Sequence, residues 1–539
     1  MTSLEHWRRQ AGPIGNHVID EFAAGRIDRR DLLRHGARLG LAAALGRPAR
    51  GRAQGQPGAT IRVASQVPAG AIDPVSVADI GGLMMLMQTG EFLARSAPDL
   101  VLQPMLALSW RPNADASVWT FALRPGVRFH DGRALTAADV VATMDRLADP
   151  NNSSNALSAF RGVLSVGGAR RVDDLTVEFH LDAPNGNFPY YVSSDNYNAI
   201  ILPANYAGDF ERIFVGTGPF TLQRYTRGVG ASFVRNPRWW GGAVTPAATE
   251  FSFFADQQPQ ILALQAGQVD VIANIAVQGA QGLLNDPDTK LIKLRSSAHR
   301  QVHMRTDSGP FADKRVRQAV ALTLDRPGLV AGLCRGEAEI GNDSPIAPVY
   351  PSAGAGVPQR HKDLAQARAL LAAAGVPDGF AATLTTERLQ EMPDYAVLIQ
   401  NAVAAIGIKL ALKIEDQAAY YGSAKAGSSD WLDSEMGMTD YGHRAVPNVL
   451  LAAPLLRGGA WNAAHFSSGA YDALVAEYVA ATDLGAQRDA AAKIDRLLLD
   501  ETPLIIGYFF SHLTAMAAGV TGVEPTAVTQ LFLQHAAVS

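Results

Sequence analysis

Apolar and polar positions along the chain follow two periods. Leu175, Val177, Phe179 and Leu181 alternate with Thr176, Glu178 and His180, the pattern of a strand buried on one side. Ile61-Arg62-Val63-Ala64 reads as a short strand, and residues 82–95, with Leu83, Leu86, Met87 and Leu93, as a helix with one apolar side. Between Trp119 and Phe129 two strands are predicted around Pro125-Gly126. A second hairpin is predicted around the turn 227–230, setting Phe220 and Leu222 against Ala231 and Phe233. Thr136 supplies an N-cap before Ala137-Ala138-Asp139, where a first-turn carboxylate suits the helix dipole. Helical spacing recurs over 258–266, 315–333, 364–374, 395–406, 471–481 and 487–499, several of these ending near glycine, as at Gly267, Gly375 and Gly407. The apolar run 504–510 predicts a strand covered on both faces. The chain is therefore α/β, with no internal repeat.

At 539 residues it exceeds what one hydrophobic core usually supports, so two or three lobes are expected. Its single cysteine, Cys334, excludes an intramolecular disulfide and a cysteine-based zinc cluster. The net charge of −4 hides an asymmetry: residues 1–53 carry ten arginines against five carboxylates, which leaves the remainder at −9. With no basic stripe interleaved with aromatics, nucleic acid is excluded as an expected partner. In the leader, Asp28-Arg29-Arg30-Asp31-Leu32-Leu33-Arg34 precedes a short apolar run, 39–45, and then Arg47-Pro48-Ala49. This order reads as a twin-arginine export signal over 1–53, the alternative being an Arg-rich amphipathic helix. The run is far short of the roughly 20 residues of a membrane span. No cysteine beside it could accept a lipid, so a periplasmic protein without a lipid anchor is expected.

Several stretches occur in one order. They are Leu102-Gln103-Pro104-Met105-Leu106-Ala107-Leu108-Ser109-Trp110; Trp119 through Gly132; Leu135-Thr136-Ala137-Ala138-Asp139-Val140; Gly216-Thr217-Gly218-Pro219-Phe220; Leu264-Gln265-Ala266-Gly267-Gln268-Val269-Asp270; and Asp313 through Val320 with Asp325-Arg326. Together they resemble the extracytoplasmic solute-binding proteins of peptide-type ABC importers, over most of residues 58–510. Pro104, Gly126, Gly132 and Gly218 read as turn formers, and Trp110, Phe121 and Phe129 as core. The resemblance implies a type II periplasmic-binding-protein clamshell of the large peptide-binding subclass. Lobe I would comprise 58–95, 201–297 and 504–539, with an extra subdomain at 96–200, and lobe II 298–503. The chain would cross between lobes near Ser297 and near Pro503. A small peptide or peptide-like amino compound would be enclosed between the lobes and delivered by a monomeric receptor to the ABC permease subunits.

In peptide-binding relatives an Asp of the second lobe pairs with the ligand's ammonium, and the matching stretch here runs from Met436 to Arg444, making Asp440 the implied partner. Its neighbours depart from the family: Met438 stands in a tryptophan's place, and His443-Arg444 follows the acid. Arg444 could clamp a carboxylate, and Tyr441, Tyr421, Trp461 and Asn462 could wall the cleft. These departures keep an opine, a sugar or a chelated metal open as alternative ligands. His299 and His303 would share a helical face, but Gln301, Val302 and Met304 read as strand, so no metal site is expected, and no cofactor is implied. No Gly-x-Ser-x-Gly, His-Glu-x-x-His or Gly-x-x-x-x-Gly-Lys motif occurs, which leaves a secreted hydrolase the weaker alternative.

Overall fold

The computed structural model describes residues 58–284 and 286–539, together with Asp20 and Ala24. The leader reading of 1–53 otherwise lies outside the described residues. Two large sheets organise the chain. In the first, Thr60–Gln66 lies parallel to Ala248–Phe254 on one side and to Val271–Ile272 on the other. The hairpin Phe220–Thr226 with Gly230–Arg235 extends one edge, Leu222 standing opposite Phe233 as expected, whereas Phe220 meets Arg235 and Ala231 meets Tyr225. His512–Ala517 and Thr289–Leu294 extend the other edge. The second sheet has the order Ala338–Ile340, Leu504–Phe510, His299–Met304, Met436–Tyr441, Ala381–Glu387, Lys409–Glu415.

Leu504–Phe510 corrects the expected boundary. Residue 504 was to return the chain to the first lobe, but this strand is the second from the edge of the second sheet, paired on both sides. The crossing falls instead at Ser511, between Phe510 and the first-sheet strand that opens at His512. The reason is burial on both faces: Ile505 and Tyr508 enter one apolar cluster of the second lobe, Leu504, Ile506 and Phe509 the opposite one.

A separate four-stranded antiparallel sheet, Ala107–Pro112, Val118–Leu123, Thr176–His180 and Ala169–Arg171, lies within residues 96–200. Its Trp119, Phe121 and Phe179 belong to the same apolar cluster as Ile61 and Val63 of the first sheet. The hairpin expected at 119–129 does not form, because Val118–Leu123 pairs instead with the strand just before it, Ala107–Pro112, and with the distant Thr176–His180. Residues 127–129 make only a single bridge, Arg128 to Ala134. The adjoining helix Ala137–Ala148 is capped as expected, the Thr136 N–H donating to Asp139 Oδ2 at 2.8 Å. Gly126 and Gly132 have φ of +80° and +93°, which favours glycine in these turns, whereas Gly216 and Gly218 have another cause. The Gly218 N–H donates to Thr89 O at 2.9 Å, and a Cβ on Gly216 would collide with the same carbonyl. The helix expected over 315–333 is two, Lys314–Ala321 and Arg326–Gly332, the second opening with Asp325 as its cap and Pro327 in its first turn. Among the described residues no helix is long and apolar enough to cross a membrane.

Candidate ligand-binding cleft

The two crossings place the ends of both sheets against one another, and a cleft opens between them. Ile80, Leu83 and Asn274 line it from the first lobe; Arg300, Glu391, Asp440 and Arg444 line it from the second. Ser511, His512 and the C-terminal residues Val528 and Thr529 complete the lining. Two further chambers adjoin it. One is walled by Tyr421, Trp431, Tyr441 and Trp461 and shares Asp440, Gly442 and Arg444 with the main cleft. The other lies beside the appended four-stranded unit and shares Tyr197 and Arg444. All three meet at Arg444.

Asp440 is the next-to-last residue of Met436–Tyr441, a strand otherwise buried. Antiparallel register sets it directly opposite Arg300 of His299–Met304, and the Arg300 Nη1 donates to Asp440 Oδ1. The rest of that guanidinium is engaged in the wall. Nε donates to Glu391 Oε1 at 2.8 Å, and Nη2 donates to Gln390 Oε1 at 2.8 Å and Glu391 Oε2 at 3.2 Å. Its carbon lies 4.6 Å from the Phe510 ring centre. The Tyr508 hydroxyl donates to Glu391 at 3.0 Å. One cation thus serves two carboxylates. Burial pushes the Asp440 carboxyl up, while the charge of Arg300 draws it back down.

Four of the expected cleft residues gather with Asp440 around the aromatic chamber. Tyr441 stacks on Trp461 with centroids 5.7 Å apart at 26°. Tyr421 meets Trp431 edge-on at 5.2 Å and donates its hydroxyl to Glu387 Oε1 at 2.7 Å. Arg444 forms the common corner. Asn462 does not join them: its amide donates to Leu456 O and Phe466 O and accepts from the Phe466 N–H, so it braces its own loop. His443 is no second cation beside Arg444. Its Nδ1 accepts the Ser297 N–H at 3.0 Å, and burial, with Arg444 adjacent, pushes its pKa down to about 3. Ser297 also fixes the next residue, its Oγ accepting the Arg444 N–H at 2.9 Å. The Arg444 guanidinium itself donates only to the adjacent His443 O among the described residues.

His299 and His303 sit on a strand, as the residues around them indicated, both buried, and His299 Nδ1 is hydrogen-bonded to Ser297 O at 2.8 Å. Among the described residues no group of three or more His, Cys, Asp or Glu side chains is placed to hold a metal ion. Sequence reasoning missed Arg300, Gln390 and Glu391. The available signal was an arginine flanked by buried positions in a strand, which has to find a carboxylate.

Two lobes around a cleft with polar groups at its centre define a solute receptor. Residues 101–447 match the bacterial extracellular solute-binding proteins, family 5, and the chain belongs to that family, the receptors of peptide-type ABC importers. Among its relatives, "Heme-binding protein A" of Haemophilus influenzae is 26% identical over 412 residues, 71% of this chain and 74% of the relative. "Di/tripeptide-binding protein 1" of Pseudomonas aeruginosa is 25% identical over 439 residues, covering 74% and 79%. Of solved structures, HbpA2 from Haemophilus parasuis superposes with a TM-score of 0.78 at 21% identity, over 89% of this chain and all of that one. It shares the type II clamshell fold.

Proposed function

We propose that this protein captures a small peptide or peptide-like amino compound in the cleft and hands it, chemically unaltered, to the permease of an ABC importer. The observation that carries this reading is the pairing of opposite charges around one chamber. Asp440 accepts from Arg300 through Oδ1 and keeps part of its side chain exposed, while the Arg444 guanidinium donates only to His443 O among the described residues and has the buried Asp195 carboxylate as a charged neighbour. An ammonium at the first and a carboxylate at the second would be met in lowered dielectric by charge-assisted hydrogen bonds. The aromatic walls supply area without demanding one side chain. The name of the Pseudomonas relative supports the same class.

Contacts from both lobes exist together only when the cleft is shut, so ligand would shift the population toward the closed form that a permease recognises. Binding without bond cleavage, a monomeric receptor, export by the twin-arginine route and assignment of residues 96–200 to lobe I belong to the same proposal. The test is calorimetry with di- and tripeptides beside their N-acetylated and C-amidated forms, with scattering to follow closure. Free peptides are expected to bind near micromolar, about −8 kcal/mol, and both blocked forms more weakly. A sugar, an opine or a chelated metal binding where no peptide does would replace the peptide reading. Cleaved peptide in mass spectra of the mixtures would favour a hydrolase.

A further inference from the structure

We propose that Arg300 is a positioning residue for ligand capture, turning Asp440 so that one carboxylate oxygen is spent inside the cleft wall and the other faces the ligand. The inference rests on the reading of Asp440 as the ammonium acceptor. The two side chains differ sharply in exposure: Arg300 is 2% exposed and Asp440 34%. Arg300 is gripped from several directions, by Glu391, by Gln390 and by the Phe510 ring, and so cannot follow a ligand. Its donors are already committed within the wall, which makes it a poor clamp for a ligand anion. Gln390, one of its supports, is held at φ +43°, a left-handed backbone that costs free energy unless the surroundings impose it. The arrangement is built to hold the guanidinium in one place.

Charge gives this placement its consequence. Besides Arg300, the titratable groups facing Asp440 are the Glu391 and Glu387 carboxylates and the Tyr421 hydroxyl, with Arg444 at the corner of the shared chamber. Burial and the nearby acids favour a protonated Asp440, which would offer an ammonium a poorer acceptor; Arg300 is the opposing influence. Lysine at this position would bring a point charge without the planar fork that reaches Asp440 and Glu391 together.

The experiment measures the affinity of the best-binding dipeptide, and of its N-acetyl form, from about pH 5 to about pH 7, where peptide amines stay mostly protonated. It compares the parent protein, Arg300→Met, Arg300→Lys, Asp440→Asn and the Arg300→Met/Asp440→Asn pair, with folding followed by circular dichroism. Arg300→Met is expected to bind at least tenfold more weakly at neutral pH and to regain affinity as pH rises, while the parent protein changes little. Arg300→Lys should recover part of the loss. Adding Arg300→Met to Asp440→Asn should cost little more. An Arg300→Met profile parallel to the parent, or losses that add in the double variant, overturns the inference while leaving the Asp440 reading in place. Unchanged affinity in Asp440→Asn overturns both. If Arg300→Met does not fold, the Arg300→Lys profile decides, its affinity again expected to be pH-dependent where the parent's is flat.

Discussion

Asp195 and Ala445, 250 residues apart, are joined by a buried hydrogen bond in which the Ala445 N–H donates to Asp195 Oδ1 at 2.6 Å. The bond ties the appended four-stranded unit to the segment that follows Asp440 in the second lobe. It does not act alone: the Asn187 amide donates to Asn448 Oδ1 at 2.9 Å, and the Gly186 N–H to Val479 O at 2.8 Å. Asp195→Ala leaves the Ala445 N–H buried without its acceptor, an expected loss of about 1–3 kcal/mol. Asp195→Asn keeps an acceptor oxygen and should lose less. Urea denaturation of the two variants measures the difference. Because Ala445 adjoins Arg444, Asp195→Ala should also weaken ligand binding, which calorimetry would detect.

Glu91 predicts how stability changes with pH. It is buried just beyond the helix Ile80–Thr89 of the first lobe, where it accepts from Thr217 Oγ1 at 2.7 Å, Trp239 Nε1 at 2.9 Å and Trp240 Nε1 at 2.7 Å. Burial outweighs these donors and pushes its pKa up from 4.5 to about 7. The folded protein therefore keeps this proton over a range in which the unfolded chain has released it. The resulting stabilisation is complete below about pH 4.5 and fades as pH rises to about 7, a change on the order of 3 kcal/mol. Glu91→Gln should remove that part of the decline, seen as a flatter stability profile in denaturant titrations between those limits.

The contrast between Asp440 and Arg300 shows where sequence reading succeeds. Local features were legible: the helix Leu364–Ala373 and the capping of Ala137–Ala148 depend on neighbours a few residues away. Asp440, Tyr441 and Trp461 stood out because charge and aromatic area are visible in one dimension. Partners set by register were hidden. Arg300 meets Asp440 across 140 residues, and the histidines on either side of it, read as strand residues, gave no sign of a carboxylate partner. The strand 504–510 was recognised but given to the wrong sheet, since an apolar run reports burial and not which neighbour covers it.

Gly216 tests the claim that close approach of two backbones, not turn formation, requires glycine in Gly216-Thr217-Gly218. Its φ is not in the left-handed region, so alanine suits the local backbone, but the added carbon would strike Thr89 O. Backbone cannot swing aside as a side chain can. Gly216→Ala should cost about 1–3 kcal/mol by forcing the helix end away from the strand entry. Gly267→Ala, at φ +68° with open space around it, offers a comparison in which only backbone strain acts. Parallel chemical denaturation separates the two causes, because relieving the crowding with a smaller neighbour is impossible at a carbonyl and the Gly216 loss should persist in every side-chain background.

Arg444 and Asp440 should fail in opposite ways. If the ligand lies with its carboxylate at Arg444, Arg444→Ala removes a charge-assisted contact of about 1.5–3 kcal/mol, so a free dipeptide should bind roughly ten- to a hundredfold more weakly. The C-amidated dipeptide has no charge to lose there, and its already reduced affinity should barely change. Asp440→Ala should reverse the preference: the free and C-amidated peptides both weaken by an order of magnitude or more, and the N-acetyl form is spared. Calorimetry on three peptides and two variants resolves this pattern. A uniform loss across all three peptides would mean that the side chain only shapes the chamber, because a contact that reads charge has to distinguish a blocked terminus from a free one.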